Sequence, residues 1–206
     1  MTARRTGLRE RKKQATREAL RAAALRLALE HGPDNVRVDD IAAAAGVSTR
    51  TYNNYFASRE QAIVAAVTAE REARVAAAVA ARPASVRLAD AVVEAIVEQY
   101  TDPGEQRRDV LLLITTRPTL RAAFVDTAGT LEHPLAAAIA QRLGDPDPHT
   151  AHVLAASVAA AVRIALQRWV QPTSTGGLVV PSGSLPDLLR TALAPLTPAL
   201  DAAENR

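Results

Sequence analysis

Residues 37–60 read RVDDIAAAAGVSTRTYNNYFASRE, and the rest of the chain is interpreted outward from them. A short helix is predicted over about Val38–Ala45. Asp39 and Asp40 lie in its first turn, where the helix dipole favours acids. Gly46 ends it, because glycine takes the left-handed backbone that a sharp interhelical turn requires. Ser48 can then cap a third helix over about Thr49–Tyr55. Ile41, Ala42 and Ala45 are expected to face inward, with Val47 filling the angle between the helices. The third helix holds one arginine, two asparagines, two threonines and two tyrosines, so it has little apolar face to bury. The residues fit either a helix-turn-helix that presents a polar helix to a groove or a short polar surface helix.

Upstream, a first helix is predicted from about Arg9 to His31. Leu20, Ala23, Ala24, Leu27 and Ala28 form one buried stripe, and Gly32-Pro33 stops it. Downstream, Ser58 with Gln61 resembles a capping box for a fourth helix over Arg59–Ala81, broken at Arg82-Pro83. Further helices are predicted near Ser85–Tyr100, Gln106–Thr116, Thr119–Leu143, Pro148–Val170 and Leu185–Ala199. Thr173–Ser184 is read as a loop. With no convincing strand, the chain is predicted to be all-α with about nine helices. The predicted organisation is an N-terminal arm and three-helix unit over 1–58, a connecting helix over 59–84 and a second helical domain over 85–206.

The chain has 206 residues, 48% of them hydrophobic, and no cysteine. The missing thiols exclude Cys-based zinc sites, redox motifs and thiol nucleophiles. The net charge of +3 is unevenly spread: residues 1–60 carry 12 Lys/Arg against 7 Asp/Glu, and residues 61–206 carry 13 against 15. A basic N-terminal block suits a polyanion-binding head and equally a solvated tail. No apolar leader core follows the basic start. The most apolar windows, Val110–Ile114 and Val153–Val162, fall short of the ~20 residues a bilayer needs. A cytoplasmic protein without a membrane partner is expected.

The order Asp39-Asp40-Ile41-Ala42, Ala45-Gly46-Val47-Ser48, Thr51, Tyr55-Phe56, Ser58-Arg59-Glu60 resembles the TetR/AcrR family of repressors, over about residues 9–70. The resemblance implies a homodimeric transcriptional repressor that binds double-stranded DNA at a palindromic operator and answers to a small-molecule effector. Carried over by position, it implies phosphate contacts from Ser48, Thr51, Tyr55 and Arg59. Thr49, Arg50 and Asn53 would face base edges, with Asn54 on the same side and Arg37 near the DNA backbone. The side-chain chemistry agrees, since Arg50 can fork onto guanine and Asn53 onto adenine. The chain departs from the family pattern at Tyr52-Asn53, where the comparison implies that Tyr52 packs into the small core with Asn53 and Asn54 on the DNA side, and at Arg37, where the family often has a capping threonine.

In the remainder, the resemblance implies a ligand-binding and dimerisation domain. The pattern Arg107, Leu111, Ile114, Pro118, Leu120-Arg121-Ala122-Ala123, with the opening Gly7–Lys13, is similar to a subgroup described as having acyl-CoA-like ligands. Pro148–Val170 is apolar almost all round and must be buried on several sides. It fits either a monomer core or, with Leu185, Leu188, Leu189, Ala192, Leu193 and Leu196, a four-helix dimer interface made by regions 148–170 and 185–199. Leu112, Thr115, Thr116, Phe124 and Trp169 are candidate pocket residues, with an ordinary core position as the alternative for each. Arg117 is a candidate partner for an anionic ligand group, with a surface or capping role as the alternative. His149 and His152, with Asp145 and Asp147, sit where helix capping accounts for them, and no metal or cofactor is expected. The chain lacks a phosphate-binding glycine loop, a Gly-x-Ser-x-Gly elbow and a His-Glu-x-x-His pair. An enzyme is therefore the least favoured alternative, behind a helical interaction protein that does not bind DNA.

Overall fold

The computed structural model describes residues 2–68, 71–101, 113–144, 148–171 and 183–205. Regular structure among them is helical throughout, with no strand. The chain divides into two compact units, Met1–Thr68 and Ala69–Arg206.

The first unit holds α1 (Thr2–His31), α2 (Val38–Ala44), α3 (Thr49–Asn53) and α4 (Arg59–Thr68). Helix α1 begins at Thr2 rather than near Arg9, so the basic segment is helical; Ala3, Arg4, Arg5 and Leu8 are good helix formers, while Thr6 and Gly7 oppose them. Leu20, Ala23, Ala24 and Ala28 are buried as expected, while Leu27 lies half-buried at the edge of the stripe. Gly32 ends the helix in a left-handed conformation at φ 79°, and the Asn35 amide caps the His31 carbonyl at 2.8 Å. Helix α4 packs along α1 and buries Ala62, Ile63, Val64 and Val67.

The turn after α2 has the bonds its sequence predicts. Gly46 sits at φ 69°. Its N–H donates to the Ala43 carbonyl at 3.0 Å, and the Val47 N–H donates to Ala42 at 2.9 Å. These are the paired bonds of a Schellman motif, which needs a left-handed residue at the Gly46 position. Ile41 and Ala42 are buried, whereas Ala45 and Val47 are only half-buried.

The second unit contains α5 (Arg71–Ala81), α6 (Leu88–Thr101), α7 (Pro118–Asp126), α8 (Glu132–Leu143), α9 (His149–Val170), α10 (Leu185–Leu193) and α11 (Thr197–Glu204). Residues 113–116 are also helical. Helix α9 packs against α8 and α10, α5 packs against α6 and α8, and both α10 and α11 pack against α6. The expected helix Arg59–Ala81 is described as α4 and α5, on either side of residues 69–70, which lie outside the described residues. Most of the expected Gln106–Thr116 helix and of the Thr173–Ser184 loop also lies outside them.

Two long helices predicted from composition are instead broken. Thr119–Leu143 is interrupted by a 3-10 turn at Thr127–Leu131. Pro134 cannot donate to the Thr130 carbonyl and would clash with it. The Thr127 and Thr130 hydroxyls compete locally, bonding the Phe124 and Thr127 carbonyls at 2.7 Å and 2.6 Å. Leu185–Ala199 breaks at Ala194–Leu196, where Pro195 and Pro198 impose the same restriction.

Helix α9 is long and apolar enough, by length and composition, to cross a membrane. The apolar character does not stop at Arg163, as the sequence windows suggested, because it resumes at Ile164. Leu154, Val158, Val162, Ala165 and Leu166 are buried, and its outer side carries exposed Arg163, Gln167 and Arg168, the pattern of a core helix.

Gly46→Ala is predicted to lower the stability of the first unit by about 1–2 kcal/mol through the left-handed backbone alone, since no atom lies within 4 Å of the added methyl. Gly129→Ala meets equally open space without a positive φ, and should be neutral or stabilising by about 0.5 kcal/mol. Urea melts of both variants check this; equal losses would contradict it.

Candidate nucleic-acid interface

Helix α3 is five residues long, too short to persist alone, and neighbouring side chains hold it at three points. The Ser48 hydroxyl caps its start by accepting the Thr51 N–H at 3.1 Å. Thr49 Oγ1 donates to Asp39 Oδ1 of α2 at 2.7 Å. Tyr52 is 0% exposed, and its hydroxyl donates to the Ser58 carbonyl at 2.7 Å. The Tyr52 ring packs against Phe56 with centroids 5.8 Å apart, and the Arg17 guanidinium covers Phe56 at 5.8 Å.

Burying Tyr52 fixes the opposite face. Residues 50, 53 and 54 are related by i, i+3, i+4 spacing and share one side of the helix. Arg50, Asn53 and Asn54 are all exposed, and their side chains have no hydrogen-bond partner among the described residues. Ser48 and Arg37 are exposed too, while Thr49, Thr51 and Tyr55 are half-buried. Ser48 Oγ and Thr51 Oγ1 lie 2.9 Å apart. One hydroxyl donates to the other, and a single proton is left for an outside acceptor.

Arg59 is more heavily engaged than its assignment as a phosphate contact implies. Its Nη1 donates to the Asp34 and Val36 carbonyls at 2.8 Å each. Its Nε donates to Glu60 Oε1 at 2.8 Å. Arg59 therefore anchors the loop that leads into Arg37 and α2, and only Nη2 has no partner among the described residues. Partial burial pushes the Glu60 carboxyl upward, but hydrogen bonds from Arg59, its own backbone and Ser58, with the Arg59 charge, outweigh this and leave it below its ordinary value. The capping box is shifted by one residue. Gln61 N–H donates to Ser58 Oγ at 3.1 Å, but the Gln61 side chain returns to the Ala57 N–H at 2.7 Å. At Arg37 the cap is supplied by Asp40, whose carboxylate accepts the Arg37 N–H at 3.3 Å.

The sequence did not single out Asp39 as part of the site. Its link to Thr49 spans ten positions and carries no local signal.

The pocket candidates of the second unit come together only in part. Phe124 is buried and lies 6.5 Å from the half-buried Trp169, centroid to centroid. Thr115 is half-buried, whereas Thr116 and Arg117 are exposed; Leu112 lies outside the described residues. The sequence missed Arg71. This arginine is only 7% exposed, and its guanidinium lies 4.4 Å from the Tyr100 ring and 5.4 Å from the Phe124 ring. Burial pushes the Tyr100 hydroxyl up to about 12, with the Arg71 charge opposing and Glu72 assisting. In α9, His152 Nδ1 lies 2.8 Å from the Pro148 carbonyl, a helix-start contact. No group of three metal-ligating side chains occurs among the described residues.

Comparison with known proteins matches residues 20–66 to the family model described as bacterial regulatory proteins, tetR family. Residues 83–201 match the model described as the MftR C-terminal domain. The chain is also similar to the HTH-type transcriptional regulator TcmR of Streptomyces glaucescens. They are 31% identical over 147 residues, which is 67% of this chain and 65% of that relative.

Burial, assisted by the Glu60 charge, pushes the Tyr52 phenol up from 10.0 to about 12. The folded value lies above the unfolded one, so the stabilisation from the neutral phenol is complete below pH 10 and is lost as pH rises through about 12. Near-ultraviolet titration should show Tyr52 and Tyr100 ionising only with alkaline unfolding. Tyr52→Phe should cost about 1 kcal/mol through the lost bond to Ser58. Early ionisation of Tyr52 in the folded protein would contradict its position.

Proposed function

The chain belongs to the tetR family of bacterial regulatory proteins, and from that premise we propose that it is a sequence-specific DNA-binding transcriptional repressor, released from a palindromic operator by a small-molecule effector. The observation that carries this reading is the two-sidedness of α3. Tyr52 is locked inside, and Arg50, Asn53 and Asn54 share an exposed face. A helix of this size fits the major groove. Arg50 and Asn53 read base edges, with Thr49 and Asn54 beside them. The hydroxyls of Ser48, Thr51 and Tyr55 hold phosphates together with the remaining donor of Arg59, and Arg37 flanks the backbone. Such a protein is not an enzyme, and in a bacterium it acts in the cytoplasm, where the DNA is.

Homodimerisation through α9 and α10–α11 supplies two reading heads. Its support is the outer side of α9, where Val153 is 52% and Ile164 56% exposed with Ala160 between them. Leu185, Leu188 and Ala192 of α10 stay half-buried in the single chain. Pairing these stripes with a second copy gives a four-helix interface. The heads must sit about 34–36 Å apart, or one helical turn, to meet successive grooves. An effector held near Phe124 and Trp169, beside Arg71, releases DNA if it binds better when that spacing is lost. The segment Arg59–Ala81 joins the two units along the chain and transmits the change.

Capture of genomic fragments by the purified protein tests the reading. The captured site should be palindromic, and binding should weaken steeply with salt. Arg50→Ala and Asn53→Ala should each relax base preference at one position per half-site by about tenfold. Tyr55→Phe should weaken all sites alike. Unchanged base preference in both of the first two variants would overturn the assignment. Failure to retain any DNA fragment, even at low salt, would favour a helical interaction protein instead.

A further inference from the structure

The first turn of α2 and the first residue of α3 are joined by one short side-chain bond, Thr49 Oγ1 to Asp39 Oδ1 at 2.7 Å. A threonine hydroxyl has one proton and two lone pairs, and an ionised carboxylate only accepts. Asp39 therefore takes the only proton Thr49 has. Thr49 is left with lone pairs and a γ-methyl. A phosphate oxygen also only accepts, so Thr49 cannot donate to the DNA backbone while this bond stands.

The major groove contains edges that do match. Cytosine N4 and adenine N6 offer donors and thymine offers its methyl, whereas guanine offers only acceptors. We propose that Asp39 is a positioning residue that makes Thr49 a base reader of fixed polarity, selecting a donor or methyl edge and rejecting guanine on the strand nearest to it. This rests on the DNA-reading role proposed above and deepens it. The exposed Asp39 carboxylate repels phosphates, so it lowers affinity for all duplexes while sharpening the choice among them, the use of an unfavourable element for specificity.

The test is selection from a randomised duplex pool with wild type, Asp39→Asn, Asp39→Ala and Thr49→Val, with thermal melts alongside. Wild type should exclude guanine at one position per half-site by about tenfold. Asp39→Asn keeps an oxygen that accepts the Thr49 proton and loses the charge. It should retain that exclusion and bind unrelated duplexes more tightly. Asp39→Ala frees the proton and should admit guanine at that position alone, with the other positions unchanged. Thr49→Val keeps the methyl and should retain thymine while losing adenine and cytosine. The proposal is overturned if Asp39→Ala selects the wild-type motif or loses preference evenly at every position. It is also overturned if Asp39→Asn changes the base chosen there. A wild type that enriches no motif overturns the DNA-reading role itself, and the wild-type arm alone shows that failure.

Discussion

The burial of Tyr52, with its hydroxyl tied to the Ser58 carbonyl, is the constraint on which the surface of the first unit depends. In so short a helix the direction of one large side chain sets the direction of all the others. With Tyr52 inside, Phe56 follows it into the core one turn later, and Asn53 and Asn54 between them are left facing solvent. The Schellman turn at Gly46, the Ser48 cap and the Asp39–Thr49 bond all orient this helix. None of them would stabilise it without the buried ring, because a single turn of helix costs more conformational entropy than its few hydrogen bonds return.

Arg59 illustrates how support and surface are combined. Two of its nitrogens anchor the loop before α2 and pair with Glu60, so the residue fixes the position of α2 before it meets any partner. In the second unit, Arg71 buries its cation among aromatic rings, where ring quadrupoles compensate part of the lost hydration. A cation held in such surroundings is a natural point of selectivity for anything entering that core.

Residues with a local signature were legible in the sequence. The left-handed turn at Gly46 and the cap at Ser48 each follow from a residue type and its immediate neighbours, the inward Tyr52 from the family pattern, and the structure shows all three. What was not legible depends on neighbours distant in sequence or on competition between signals. The Thr119–Leu143 and Leu185–Ala199 stretches look helical by composition, yet Pro134, Pro195 and Pro198 break them. Arg71 carries no local signature in the sequence, and only packing against Tyr100 and Phe124 shows its burial. The Asp39–Thr49 bond joins two helices across the turn, and no spacing rule predicts it.

The most direct measurement of the central claim is dimethyl sulfate protection on a genomic duplex captured by the purified protein, because this reagent attacks guanine N7 in the major groove. The account predicts two clusters of protected guanines, centred about ten base pairs apart or slightly more on one face of the duplex, with the protection lost in Arg50→Ala. A bound duplex whose guanines stay fully reactive would show that the polar face of α3 does not enter the groove.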